Sequence, residues 1–239
     1  MNKQEKKIIR DLHHAKTRKP TGLCLVEGLR CVTTFLHSKH VLRTLYLTEQ
    51  ALTQAPDILK KCHYTVIPQS DMEQVSAATT PSGFLAIFEI TQTSAPLGPG
   101  LVLAQLQDPG NVGTLIRTAV ALTRKTVVFV ESVDPWSPKV IQSSAGTIAR
   151  ANIHELSWHA LKKQKNSIPL LALVTQHGQP PSAQDDAALF VVGNEAQGIP
   201  APWIKECDGK ITLPMPGNTE SLNAAVAGSI ALYMTLLSK

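Results

Sequence analysis

Cysteine is scarce, and its spacing excludes more than its number. The 239-residue chain has four, Cys24, Cys31, Cys62 and Cys207, at separations that match neither a zinc-ligand pattern nor a compact disulfide framework. Reduced thiols are expected. Long apolar runs are lacking as well: no stretch reaches the ~18 residues of a membrane span, and the N-terminal region has no apolar signal-like segment. Glu5, Asp11 and a scarcity of serine argue against a mitochondrial targeting peptide. The expectation is a cytoplasmic protein with no membrane partner.

Several catalytic signatures are also missing. Gly193 and Gly198 have the G-x-x-x-x-G spacing of a phosphate loop, but Ile199-Pro200 follows where that loop needs Lys-Ser or Lys-Thr. No G-x-G-x-x-G follows a strand, and no G-x-S-x-G marks a hydrolase elbow. His154 and His159 resemble a zinc pair around Glu155, yet they are five apart instead of four and share no helix face. No metal is expected.

What remains is an ordinary globular composition, 43% apolar, with an uneven charge. Residues 1–20 hold seven basic side chains (Lys3, Lys6, Lys7, Arg10, Lys16, Arg18, Lys19) against Glu5 and Asp11, which equals the net +5 of the chain. A basic arm on a neutral body suits a polyanion such as RNA, where each neutralised phosphate releases counterions; a solvated helix is the alternative.

Thr91 to Gly100, with two prolines and two glycines, reads as a linker. Before it, strands are expected at Leu23 to Glu27, Thr44 to Leu47, Tyr64 to Ile67 and Phe84 to Ile90, with helices at Leu29 to Leu36 and Asp71 to Ala77. After it, nearly continuous apolar runs at Leu101 to Leu106, Thr126 to Val130, Leu170 to Val174, Leu189 to Val192 and Lys210 to Leu213 predict a parallel sheet covered on both faces, a doubly wound α/β domain. A final helix is expected from Ser221 as cap, with Leu222, Val226, Ile230, Tyr233 and Leu237 as an apolar stripe. Ala224, Ala225, Ala227, Gly228 and Ser229 make it thin, so that another backbone can approach, within the chain or across a dimer.

Three polar segments each follow a buried-type strand: Asp108 to Arg117, Gly193 to Gly198 and Pro214 to Asn223. Ligands of open α/β sheets bind beyond the carboxyl ends of the strands, so these loops outline one site. In the first, Asn111 is the expected helix cap and Gly113 leaves a bare turn over which Arg117 can reach back, either to bind a phosphate or to sit in a surface ion pair. In the second, Glu195 either accepts from a ribose hydroxyl, holds Arg117 or caps its own turn. In the third, Ser221 reads as a cap, whereas Asn223 inside a first helical turn is disfavoured by propensity and so points to a functional partner.

Taken in order, Asn111-x-Gly-x-x-x-Arg117-x-Ala, Gly193-x-Glu-x-x-Gly198 and Leu213-Pro-Met-x-Gly-x-x-x-Ser-Leu-Asn223-x-Ala-x-Ala227 resemble the three motifs of the SpoU (TrmH-like) RNA ribose methyltransferases. Arg18-Lys19, Val26-Glu-Gly28 with Arg30, and Thr80-Pro-Ser-Gly83 with Ala86 are similar to the ribosomal-protein-like substrate-binding domain of many members. Beside the basic arm over 1–20 and the linker over 91–100, the resemblance implies an RNA-binding domain over 21–90 and, over 101–239, a SPOUT domain with a deep trefoil knot. It implies homodimers with composite sites and S-adenosylmethionine bound by Gly193, Leu213 and Leu222. It also implies 2′-O-methylation of a ribose in ribosomal RNA, or in transfer RNA, with Asn111, Arg117, Glu195, Ser221 and Asn223 as catalytic residues. A non-catalytic RNA-binding protein of the same fold is the alternative. Ala121-Leu-Thr123 departs from the pattern, where relatives often carry an aromatic residue and a glycine.

Overall fold

The computed structural model describes residues 1–217 and 220–237, the side chains of Lys60 and Leu237 excepted. These fall into two compact units, residues 1–92 with 134–150, and residues 93–133 with 151 onward.

The first unit carries a four-stranded sheet in the order β1-β4-β2-β3. The strands are β1 (Leu23–Glu27), β2 (Val41–Leu47), β3 (Thr65–Val66) and β4 (Phe84–Glu89). Alternation along the strands sends Leu25, Tyr46, Leu85 and Ile87 to a core shared with Ile9 of the first helix (Lys3–Asp11), with Leu12 that caps its end, and with Met72 and Val75 of the helix Gln69–Val75. The expected arm is therefore docked structure. Its Lys6 ammonium pairs with Asp71 at 2.5 Å, and Arg18 is 4% exposed, with Nε 2.9 Å from the Asp134 carboxylate.

The second unit is built on a six-stranded sheet in the order β10-β8-β9-β5-β6-β7. Its strands are β5 (Gly100–Ala104), β6 (Thr126–Val130), β7 (Asn152–Glu155), β8 (Leu170–Leu173), β9 (Leu189–Gly193) and β10 (Gly209–Ile211), and every pairing is parallel. The strand order reverses between β5 and β9, which run side by side to Ala104 and Gly193. That reversal is where an open α/β sheet leaves a crevice.

Departures from the sequence reading have local causes. β5 ends at Ala104, not Leu106, because Gln105 turns to a φ of 58°. β7 is an edge strand with a single apolar residue, Ile153, and so gave no periodic signal. It also takes His154 into a strand while His159 lies in the helix Trp158–Gln164. Among the described residues no three His, Cys, Asp or Glu side chains cluster as metal ligands, and no helix is long and apolar enough to cross a membrane.

The last helix runs over Ala224–Leu237 and packs on the helix Pro109–Ala121 and on β9. Its small residues serve the interior of the chain: Ser229 Oγ meets Thr118 Oγ1 at 2.9 Å, and a Cβ on Gly228 would stand 2.5 Å from Leu115 Cδ2. Three large apolar residues point the other way, with Val226 46%, Ile230 39% and Tyr233 52% exposed. Leu237 of the expected stripe has its side chain outside the described residues.

Candidate active site

Each wall of the crevice begins where a parallel strand stops. After β5 the chain reaches Asp108, whose carboxylate accepts from the Asn111 N–H at 2.7 Å and caps the helix Pro109–Ala121. The expectation that Asn111 is the cap is corrected: Asp108 precedes a proline at the first helical position, where no N–H is needed, and takes that role. Asn111, in the first turn, has its side chain free for other partners. Its Nδ2 donates to Glu195 Oε1 at 3.0 Å, and its Oδ1 accepts from Asn223 Nδ2 at 2.9 Å.

The second wall closes on itself. Asn194 and Gly198 exchange backbone hydrogen bonds of 3.0 and 2.9 Å, and Asn194 Oδ1 accepts from the N–H groups of Ala196 and Gln197. Gly193 makes this possible, because a Cβ there would stand 2.3 Å from the Gly198 carbonyl carbon. The turn holds Glu195 at the start of the helix Pro109–Ala121, where its Oε1 also accepts from the Asp108 N–H at 3.3 Å. Free amides and the helix dipole favour a carboxylate there. Glu195 thus holds Asn111, not Arg117.

The third wall leaves β10 through Leu213 and arrives at Ser221, Leu222 and Asn223; Asn218 and Thr219 of this segment lie outside the described residues. Here too the cap moves, this time by two positions. Asn223 Oδ1 accepts from the N–H groups of Ala225 and Val226, at 2.9 and 3.2 Å, so Asn223 starts the last helix and Ser221 precedes it, exposed.

Between the second and third walls and the end of β8 lies a pocket of about 330 Å³. Gly193, Glu195, Leu213, Ser221 and Leu222 all line it, together with Thr175 and Met215, which sequence reasoning missed. Glu195 is the one ionisable side chain in that lining. Asn111 and Asn223 reach the pocket through the hydrogen bond to Glu195. Arg117 stands apart: it is exposed, with no hydrogen bond or ion pair among the described residues, while Gly113, over which it was expected to fold, is buried. Asp108 and Asn194 were also missed. The Asp108-Pro109 pair is itself a helix-start signal that marks the first of them.

Residues 99–233 match the model of the SpoU rRNA methylase family. The chain belongs to that family. Residues 3–86 match an MRM3-like substrate-binding domain, so the first unit of this SpoU protein carries a domain of that kind. The Bacillus subtilis 23S rRNA (guanosine(2553)-2'-O)-methyltransferase RlmP is 27% identical over 96% of this chain and 95% of its own. A solved structure of an RNA methyltransferase of the TrmH family from Porphyromonas gingivalis superposes with a TM-score of 0.84 at 28% identity, covering 98% of both chains. The SpoU methyltransferase AviRb from Streptomyces viridochromogenes, in complex with AdoMet, shares the fold with a TM-score of 0.83 at 22% identity, over 99% of this chain and 98% of that one.

Proposed function

We propose that this SpoU protein transfers a methyl group from S-adenosylmethionine to a ribose 2′-hydroxyl of structured RNA, ribosomal RNA before transfer RNA, in the cytoplasm. The observation that carries the reading is the chain of hydrogen bonds Asn223–Asn111–Glu195, which ties the three loops to one pocket at the strand reversal. The pocket fits the donor in charge: its lining has one carboxylate and no lysine or arginine, which suits a cationic sulfonium, and its volume falls in the range of small-molecule sites. Gly193, Leu213 and Leu222 would hold the donor, whose contribution is an electrophilic methyl group.

The chain's own residues supply placement and charge. Glu195, fixed by Asn111 and the Asp108 N–H, has its orientation set before ligands arrive, so little reorganisation is needed at reaction. Ser221 and Asn223 border the acceptor side. Arg117 binds the adjacent phosphate and stabilises the developing alkoxide; a guanidinium gives up its proton too reluctantly to serve as a base, and the phosphate or a water takes the proton.

Two further features complete the reading. The exposed stripe Leu222, Val226, Ile230 and Tyr233 is proposed as a homodimer face, which leaves Arg117, with no side-chain partner among the described residues, available to a site shared by two subunits. The C-terminal chain is proposed to thread a trefoil knot. Supporting this, the segment after β8 clasps the end of β10: Val174 N donates to Ile211 O and Thr212 N to Gln179 O, both at 2.9 Å.

The test is to map ribose methylation in the ribosomal RNA of cells with and without the gene. Loss of one 2′-O-methyl group is expected; an unchanged map in ribosomal and transfer RNA favours a binding protein without catalysis.

A further inference from the structure

Residues 1–20 are the basic stretch of the sequence, and the structure uses three of their seven basic side chains internally. Lys6 is paired with Asp71, Arg10 Nε donates to the Gln74 carbonyl at 3.0 Å, and Arg18 is buried on Asp134. Outside this stretch the first unit carries further charge with no partner among the described residues. Arg30, Thr33, Thr34 and His37 follow i, i+3, i+4, i+7 spacing and share the face of the helix Leu29–Leu36 opposite the buried Cys31, Val32 and Phe35. That face lines a cleft of about 580 Å³ to which Pro56 and Arg150 contribute and in whose lining no carboxylate appears.

The cleft is equipped for an anion. Neither guanidinium has an ion pair or hydrogen bond among the described residues, and the buried Thr33 hydroxyl has no partner there either. His37 Nδ1 donates to the Thr33 carbonyl at 2.8 Å, which fixes the ring in the lining of the cleft.

Gly146 brings the second arginine into place. It has a φ of +78°, and a Cβ there would stand 2.9 Å from Cys31 Cα and 3.1 Å from Thr34 Cβ. Only glycine lets the chain before Arg150 lie this close to the helix. Two unpaired guanidiniums lining one cleft repel each other, and an anion with several acceptor oxygens reverses that.

We propose that this cleft binds consecutive phosphates of the substrate RNA backbone, with Arg30 and Arg150 as the charged contacts. The inference rests on the RNA methyltransferase reading. The experiment titrates the full-length Arg30→Ala/Arg150→Ala and Arg30→Lys/Arg150→Lys variants with large-subunit ribosomal RNA transcribed in vitro, at about 50 to 200 mM salt. The alanine pair is expected to bind ~10-fold more weakly at low salt, with the slope of log affinity against log salt reduced by about two. The lysine pair keeps the slope, and calorimetric binding of S-adenosylmethionine is unchanged in both, which shows that they are folded. Wild-type affinity and slope in the alanine pair overturn the cleft and leave the methyltransferase reading standing. Failure of the wild type to bind RNA at any salt overturns both.

Discussion

Asn223 Nδ2 donates to Asn111 Oδ1 at 2.9 Å across 112 positions of sequence, while Asn223 Oδ1 caps the last helix. One amide therefore has two jobs, and they separate by substitution. Asn223→Asp keeps an acceptor for the cap but loses the donor to Asn111, so thermal stability stays near wild type while single-turnover methyl transfer falls at least ~10-fold. Asn223→Ala loses both, at a further cost of about 1 kcal/mol from the cap. Wild-type turnover in the aspartate variant would show that the link to Asn111 is incidental.

The role proposed for Arg117 is that of an anchor with a planar, two-pronged donor, not that of a base. Arg117→Lys retains charge and loses that geometry, so its single-turnover rate is expected to lie much closer to Arg117→Ala than to wild type. Lysine activity equal to wild type rules out bidentate recognition.

At Gly193 the nearest obstacle to a side chain is backbone, not a flexible tip. Gly193→Ala must open the turn that holds Glu195, and S-adenosylmethionine affinity measured by calorimetry is expected to fall ~10-fold or more. Retained affinity would mean that the turn can shift without disturbing the pocket.

His40 gives the first unit a defined acid sensitivity. Its ring lies between Phe35 and Trp136, with centroids 5.4 and 5.1 Å away, and Nδ1 accepts from the Thr91 N–H at 3.0 Å. Burial, and then the Lys39 ammonium, pushes its pKa from 6.5 down to about 4. Between these values the unfolded chain binds more protons than the folded one. The contribution of ~3 kcal/mol is thus intact above the unfolded pKa and is lost as pH falls toward the folded one. His40→Gln keeps an acceptor and does not titrate, so denaturant midpoints at about pH 7.5 and about pH 4.5 should differ less in the variant than in wild type. Equal losses would contradict the assignment.

The outward stripe of the last helix predicts self-association. Ile230→Lys and Tyr233→Lys together should shift the sedimentation of the protein toward the monomer without lowering its thermal stability by more than about 1 kcal/mol, since both positions are exposed. A wild-type monomer at micromolar concentration would remove the stripe as a dimer face.

Much of the fold was legible where apolar runs are unambiguous: β1, the helix Leu29–Leu36 and β6 match the sequence reading residue for residue. The edge strand β7 was not, because Asn152–Glu155 has only one buried side chain. The three site loops were found by their position after buried strands, yet both cap assignments moved. Asp108 and Asn111, like Ser221 and Asn223, are two cap-forming residues within three positions, and propensity ranks them as equals. Which one caps depends on the partner of the other, and those partners are more than 80 residues away in sequence. The thin side of the last helix was legible, but the direction it faces was not.

The central claim is ribose 2′-O-methylation, and its most direct measurement is transfer from radiolabelled S-adenosylmethionine to unmodified large-subunit ribosomal RNA, followed by alkaline hydrolysis. The account predicts label in an alkali-resistant dinucleotide, because a 2′-O-methyl group blocks cleavage at that linkage. Label released as a methylated mononucleotide would place the methyl group on a base and contradict it.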